Sequence, residues 1–270
     1  MRLNNLNFHQ TFPPEEAMLS RLLTSDVFGI PMTKEDISRE TGIPTGRSSG
    51  KVEPHIAYAS YMGLIDDSYK EGKHSLRLTP LGSQIVKEDP GIHEEVTRML
   101  CHLRISSPFG GAPLWAAVVS ELLAHRINGL SPTALLDSLS KEATSNINLG
   151  PFYSSYEDTL FAPLKLIERS SAFIKLNKHT FSPELIYAYA YALFREWELK
   201  YPGRDEVTAT EIESFYMYGA IGWSQADLYS TMEKFQDKRL LSFNRQLTPY
   251  TVTKSCSSEQ MIPLLFSELL

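Results

Sequence analysis

The stretch that decides the fold is residues 36–81, DISRETGIPTGRSSGKVEPHIAYASYMGLIDDSYKEGKHSLRLTPL. The Gly-Ile-Pro turn at residues 42–44 ends a short helix, because glycine tolerates left-handed backbone angles and proline cannot donate the next backbone hydrogen bond. From about Ser49, apolar residues recur near the 3.6-residue period of a helix packed on one face, with Pro54 in its first turn. The pattern predicts two helices joined by a sharp turn.

A β-hairpin is predicted directly after the second helix. Gly63 closes that helix, a strand begins at residues 64–65, and residues 75–79 alternate as a returning strand. The polar run 66–74 between them is expected to be a loop, the wing. Helix, turn, helix and hairpin in this order predict a winged helix-turn-helix whose second helix is the recognition helix.

Nucleic acid is the first partner that this order suggests. A recognition helix meets base edges and phosphates with short polar and basic residues near its N-terminal end. The predicted DNA contacts of the helix and the hairpin are Thr45, Arg47, Ser48, Ser49, Lys51, His55, Lys73 and Arg77. Winged helices also serve as protein-docking or dimerisation modules, and the sequence leaves that role open.

Net charge limits how this chain binds DNA. The 270 residues contain 26 Lys and Arg against 32 Asp and Glu, which gives a net charge of −6. A strong, sequence-independent DNA binder carries a basic excess. We therefore expect modest affinity for double-stranded DNA, through a local patch of charge and with help from partner proteins.

The predicted fold class is mainly α with small β-hairpin wings, an α+β fold in which tandem winged helix-turn-helix units surround a helical core. The expected domains are an N-terminal unit at 1–90, a helical linker and core at 91–130, a second, degraded unit with a long helix at 131–203, and a C-terminal unit at 204–270. The helix, helix and hairpin order returns with irregular spacing, which indicates a topological repeat and not a solenoid.

The second unit is predicted to be structural. Ser131 is expected to cap its first helix, and residues 156–167 are expected to form its second. Residues 173–176 and 179–181 are expected to pair as its hairpin. Acidic residues at the start of the second helix would repel phosphates.

The third unit is predicted to repeat the pattern with an N-capped helix at 224–241 and strands at 241–243 and 250–253. Its cations lie near the C-terminal end of that helix, where they complement the helix dipole, and the sequence leaves DNA binding by this unit open as the alternative. Residues 185–197 form a helix rich in tyrosine, which we expect to belong to the core.

Catalytic and metal-binding signatures are absent from the sequence. It contains no P-loop, GxGxxG, HExxH or GxSxG motif, so no cofactor and no metal site are predicted. His93 and His102 lack the i, i+4 spacing of a helical metal site, and we expect a solvated helix face there. His9 is expected to be hydrogen-bonded in a seam between domains.

Cysteine usage and hydropathy predict a soluble protein of the cytoplasm. Cys101 and Cys256 stand alone, without a CxxC pattern, as is usual in a reducing compartment. No signal peptide is recognisable at the N-terminus. The apolar segments 113–127 and 185–197 are too short and too often interrupted by charge to span a bilayer, so no membrane partner is expected.

Four motifs carry a resemblance to a known family. They are FHQTFPP at residues 8–14, TGIPTGRSSGKVEPHIAYASYMGLI at 41–65, LTPLG at 78–82 and EDTLFAPLKLI at 157–167. Together they resemble the uncharacterised family found beside phosphorothioate DNA-modification and phage-defence genes, which includes the SspB-like proteins. The resemblance implies a DNA-engaging accessory subunit that works with an ATPase and a PAPS-reductase-like sulfur-transfer protein, and it raises DNA nicking as an activity.

One position departs from the family pattern, which has His-Glu-Thr-Phe followed by an arginine. Gln10 replaces the glutamate here, and Glu15 and Glu16 stand near the place of the basic residue. If the missing glutamate serves metal-dependent nicking, this chain lacks it. The leading hypothesis is therefore a DNA-binding and docking accessory subunit, and the alternatives are a metal-dependent DNA nickase of the same system or a winged-helix transcription regulator. The sequence leaves a homodimer open.

Overall fold

Helices predominate in the structure, and the strands form small antiparallel sheets. The computed structural model describes residues 5–47, 49–124, 126–143, 146–246 and 248–269. This architecture confirms the predicted α+β class. Among the predicted contact residues, Ser48 lies outside the described residues.

The first unit contains three helices followed by a hairpin. Its elements are α1 (Glu16–Leu23), α2 (Lys34–Thr41), α3 (Val52–Tyr61), β1 (Ile65–Lys70) and β2 (Lys73–Leu78). The side chain of Thr33 caps α2 by accepting the backbone N–H of Asp36. Gly42 ends α2 in a left-handed conformation, which confirms the predicted turn, and Pro54 lies in the first turn of α3 as predicted.

The hairpin is longer than predicted. The loop expected over residues 66–74 is wrong, because β1 and β2 pair along their whole length and leave only Glu71 and Gly72 in the turn. Both turn residues have positive φ, 52° and 77°, as a two-residue hairpin turn of the primed type requires. The strands resemble a loop in sequence because the exposed face of the hairpin is polar.

Three helices connect the first unit to the second. They are α4 (Pro80–Glu88), α5 (Glu95–Ile105) and the single turn α6 (Pro113–Trp115), which continues as a π-helical stretch over Ala116–Leu123. Gly82 lets α4 pack closely on the end of the first unit, since a Cβ there would lie 1.9 Å from the carbonyl oxygen of Leu64. Trp115 and Val118 are buried, so this stretch belongs to the core.

The second unit has two helices and a short hairpin. Its elements are α7 (Pro132–Glu142), α8 (Gly150–Glu157), β3 (Ile167–Arg169) and β4 (Ile174–Leu176). The hydroxyl of Ser131 accepts the backbone N–H of Ala134, which confirms the predicted cap.

Two predictions for the second unit are wrong. Residues 156–167 do not form the expected helix, because α8 ends at Glu157. Pro163 then lies in a 3-10 turn, and Lys165 adopts a left-handed conformation with φ 53°. The strand expected over 179–181 is not the hairpin partner, since β4 pairs with β3 on its N-terminal side. β3 begins at Ile167, the last residue of the expected helix.

The third unit follows a long helix. The elements are α9 (Ile186–Lys200), β5 (Glu206–Thr208), α10 (Ala209–Glu213), α11 (Gln225–Asp237), β6 (Leu241–Asn244), β7 (Thr251–Lys254) and α12 (Ser258–Met261). Ser224 caps α11 as predicted, but the helix ends before Arg239, whose φ of 60° is left-handed. Both predicted hairpin strands are confirmed. No described helix, α9 included, is long and apolar enough to cross a membrane.

The three units share one order of elements. In each, an extended segment precedes two helices and a hairpin, and this segment pairs with the second hairpin strand. The pairs are Met32 with His74, Leu130 with Ile174, and β5 with β7. The same strand pairing thus occurs in all three segments.

His102 on α5 joins this connecting helix to the second and third units. Its Nδ1 accepts the hydroxyl of Tyr156 on α8 at 2.9 Å, and its Nε2–H donates to the carbonyl oxygen of Ala220 at 2.9 Å. The solvated face predicted around His102 is wrong, because every residue of α5 from Val96 to Ile105 except Arg98 is buried. The sequence does not reveal that other units cover both sides of this helix.

We expect acid to destabilise the fold through His102. Burial lowers the pKa of His102 to about 4, so the folded protein holds the ring neutral while the unfolded chain protonates it near pH 6.5. The stabilisation is complete above pH 6.5 and is lost as the pH falls towards 4, by about 2 kcal/mol at pH 5. Urea unfolding at pH 7.5 and at pH 5 measures this difference in the free energy of unfolding.

The variant His102→Gln keeps one donor and one acceptor but cannot titrate, so its loss of stability between these pH values should be smaller than in the wild type. His93→Gln removes an exposed histidine just before α5 and is the matched control. An equal acid loss in the wild type and in His102→Gln would contradict the prediction.

Candidate functional site

The loop before α3 presents two of the predicted DNA contacts to solvent. Arg47 and Ser49 are exposed, whereas Thr45 is half-buried. The loop folds back on itself, since a Cβ at Gly50 would lie 2.6 Å from Oγ1 of Thr45. Within the described residues Arg47 forms no ion pair, so its guanidinium is free to meet a phosphate.

Lys51 and His55 face the protein interior. Nζ of Lys51 lies 2.6 Å from the carboxylate of Glu15. The imidazole of His55 is 0% exposed; its Nε2 accepts the backbone N–H of Glu15 at 3.2 Å, and its Nδ1–H donates to the carbonyl oxygen of Lys51 at 2.7 Å. Burial lowers the pKa of His55. The prediction that His55 contacts DNA is wrong, because both ring nitrogens are bonded inside the fold.

The predicted recognition helix is covered by the N-terminal segment. All ten residues of α3, each of them described, are buried or half-buried. The ring of Phe8 packs on Tyr58 and Tyr61 with centroids 5.0 and 4.8 Å apart. The Tyr58 hydroxyl donates to the carbonyl oxygen of Phe12 at 2.9 Å. While this segment is in place, α3 cannot enter a major groove.

His9 lies in a seam formed by the same N-terminal segment that covers α3. Its imidazole is buried, its Nδ1–H donates to the carbonyl oxygen of Gln10 at 3.0 Å, and its ring centroid is 6.0 Å from that of Trp115. Asn148, just before α8, joins the seam, because its backbone N–H donates to Oδ1 of Asn7 at 3.0 Å. Burial lowers the pKa of His9. These contacts agree with the structural role predicted for this histidine.

The exposed face of the β1–β2 hairpin carries three cations. The antiparallel register places Lys70 opposite Lys73 near the tip, and Arg77 opposite Asp66 near the base. All three cationic side chains are exposed, and Tyr69 at the tip is 61% exposed. A β-hairpin of this kind can lie along a groove and set cations against phosphates.

The predicted contacts therefore fall into two groups. Arg47 and Ser49 in the loop, together with Lys73 and Arg77 on the hairpin, are exposed and stay predicted contacts. Lys51 instead faces Glu15. Lys70 was not among the predicted contacts, and its place on the cationic face follows from strand alternation once residues 66–74 are paired.

Acidic residues beside the FHQTFPP motif are each paired with a cation. Glu15 holds Lys51, and Glu16 lies 3.6 Å from Arg98. Within the described residues, no three side chains of His, Cys, Asp or Glu converge as metal ligands. With Gln10 in place of the family glutamate, the residues around the motif do not fit a magnesium site.

A cleft that the sequence did not predict lies between the first unit and α9. Its volume is about 430 Å³, and Arg104 of α5 and Arg195 of α9 line it. Arg104 is 9% exposed, and the Nε of each arginine has no hydrogen-bond partner among the described residues. Burial, and then the charge of Arg195, lower the pKa of Arg104 to about 10, so it is still charged at neutral pH. The sequence signal is an arginine within an otherwise apolar helix.

Comparison with known proteins identifies the fold. No family model matches the chain, and no curated protein matches it in sequence. Among solved structures, the magnesium ion-bound SspB crystal structure matches with a TM-score of 0.75 and 14% identity over 97% of this chain and 86% of that chain. An SspB crystal structure matches with a TM-score of 0.70 and 15% identity over the same shares. The chain thus has the fold of SspB over nearly its whole length, as the motif resemblance predicts.

Proposed function

We propose that this chain is a DNA-binding and docking accessory subunit of a DNA phosphorothioate-modification or phage-defence system. The observation that carries the proposal is the SspB fold, which extends over 97% of the chain. The motifs at residues 8–14 and 78–82 support it, because they resemble the family associated with such systems. In this role the chain works beside an ATPase and a PAPS-reductase-like sulfur-transfer protein.

The DNA contact is assigned to the hairpin of a winged helix-turn-helix and to the loop before α3. The helix, helix and hairpin order of the first unit supports the winged-helix interpretation. Burial of α3 favours the wing over the recognition helix as the reading element. The hairpin presents Lys70, Lys73 and Arg77 on one face, and the loop adds Arg47.

The charge balance fits a subunit that binds DNA with help. A small number of exposed cations lie on the hairpin and on the loop before α3. The chain as a whole has a net charge of −6. Each phosphate contact contributes to affinity through the release of counterions, so a small patch gives weak binding at physiological salt. Partner proteins on the same DNA would add affinity by raising the effective concentration.

We expect the hairpin cations to determine DNA affinity. The double variant Lys73→Gln/Arg77→Gln should bind a short duplex about tenfold more weakly at low salt and should lower the salt dependence by about two phosphate contacts. Fluorescence anisotropy over a series of salt concentrations measures both quantities. The variant Arg47→Ala should produce a smaller loss of the same kind, since it removes one contact.

Two controls separate contact from charge and from stability. Lys87→Gln/Lys141→Gln removes the same charge from exposed positions on α4 and α7 and should leave binding near the wild-type value. Lys51→Ala breaks the ion pair with Glu15. Its main effect should be a lower melting temperature and not a weaker affinity for DNA. Equal binding by the wild type and the hairpin double variant would refute the assignment to the wing.

The nickase alternative deserves a direct test, because one matched SspB structure is magnesium ion-bound. The acids near the motif of this chain are paired with cations, and Gln10 supplies an amide where the family pattern has a carboxylate. We therefore expect supercoiled plasmid to stay supercoiled with the purified protein and Mg²⁺ or Mn²⁺. Agarose gels over several hours decide it, and relaxed circles at a rate that scales with protein concentration would establish nicking.

A further inference from the structure

The cleft between the first unit and α9 contains charge that the fold leaves without a partner. Arg104 and Arg195 both line it, and neither forms an ion pair with a carboxylate among the described residues. Arg104 is buried, and a charged group that is taken out of water without a partner destabilises the fold. Arg195 is half-buried, and its charge repels that of Arg104. An anion that enters the cleft would relieve both effects.

Other buried cations in this chain do have partners. Lys254 is 8% exposed at its side chain, and its Nζ lies 2.7 Å from the carboxylate of Glu198. Glu198 also lines the cleft, but Lys254 and the hydroxyl of Ser258 already hold its two oxygens. The charge of Glu198 is therefore already shared with Lys254. Arg104, which is buried, and Arg195, which is half-buried, form no ion pair among the described residues.

The Arg104 guanidinium is held in a fixed place. It lies against the backbone at Gly63, where a Cβ would be 2.5 Å from its Nε and 2.6 Å from its Nη2. Gly63 has φ +72°, a conformation that suits glycine. The guanidinium occupies the space that a side chain at this position would take. A planar guanidinium fixed in this way is preorganised to present its N–H groups to an oxyanion.

The size and rim of the cleft select a small ligand. A volume of about 430 Å³ is within the range of small-molecule sites. Exposed carboxylates of Asp66 and Glu259 stand on its rim. They would repel a long polyanion that had to cross the rim, whereas a compact anion can pass between them and reach the arginines.

We infer that this cleft binds a tetrahedral phosphate group of a small molecule, with Arg104 and Arg195 as its two guanidinium ligands. The chemistry is that of inorganic phosphate, pyrophosphate or a phosphate monoester, whose oxygens accept several N–H bonds at once. Tyr191 lines the same cleft and has a hydroxyl that could donate to the same group. This inference does not depend on DNA binding by the hairpin.

Calorimetric titration of the full chain with pyrophosphate, and separately with inorganic phosphate, tests the site in a chloride buffer. We expect saturable binding by the wild type, binding at least about tenfold weaker in Arg195→Gln, and an intermediate loss in Arg195→Lys, which keeps the charge but not the fork. The control is Arg169→Gln, since Arg169 already holds Glu157 at 2.5 and 2.7 Å and should not affect the cleft. Absence of saturable binding by the wild type, or equal binding by Arg195→Gln, would overturn the inference.

Thermal unfolding distinguishes a binding residue from a structural one. Without added anion, Arg195→Gln should melt no lower than the wild type, because it relieves repulsion with Arg104. Pyrophosphate should raise the melting temperature of the wild type and not that of the variant. A clearly lower melting temperature of Arg195→Gln in anion-free buffer would show that Arg195 stabilises the fold itself, which would overturn the inference.

Binding measurements with a DNA duplex distinguish this site from the DNA contact of the proposed function. The Lys73→Gln/Arg77→Gln protein should bind pyrophosphate like the wild type, and Arg195→Gln should bind duplex like the wild type. If instead duplex binding depends on Arg195 and pyrophosphate does not bind, the cleft belongs to the DNA path and the small-ligand inference is wrong.

Discussion

One buried imidazole joins the connecting helix α5 to the second and third units. His102 receives a hydrogen bond from Tyr156 of the second unit and donates one to the Ala220 carbonyl oxygen, which lies ahead of α11 in the third unit. A neutral ring offers one acceptor and one donor, and both are used here. Because α5 carries this ring and is buried along most of its length, the residues on α5 are fixed as well. Arg104 follows His102 by two positions, so the cleft depends on the same anchor.

Burial of α3 changes where the first unit can interact. In a winged helix the second helix usually reads the major groove, but here the segment around Phe8 and Phe12 covers it through the aromatic contact with Tyr58. The hairpin and the loop before α3 stay exposed. In this unit α3 builds the core, and the hairpin carries exposed cations.

The unpaired arginines in the cleft lower the stability of the fold. Elsewhere the fold pairs its partly buried cations, as Lys51 with Glu15 and Lys254 with Glu198. Arg104 forms no ion pair among the described residues, although the carboxylates of Asp66 and Glu259 stand on the rim of the cleft. Groups that are left unpaired and desolvated in a cleft mark functional sites more often than structural ones. The net charge of the chain gives no sign of this site, since it depends on where charges lie and not on their sum.

Local signals in the sequence determined the α+β class and most helix limits. Gly42, Ser131 and Ser224 set the ends of helices through turns and caps that act within a few residues. Tertiary structure alone decided the pairing of β4 with β3, the cover over α3 and the meeting of Arg104 with Arg195. Periodicity shows which face of an element is apolar, but not which distant segment will cover it. Contacts between residues far apart in the chain, such as His102 with Ala220, therefore had to come from the fold.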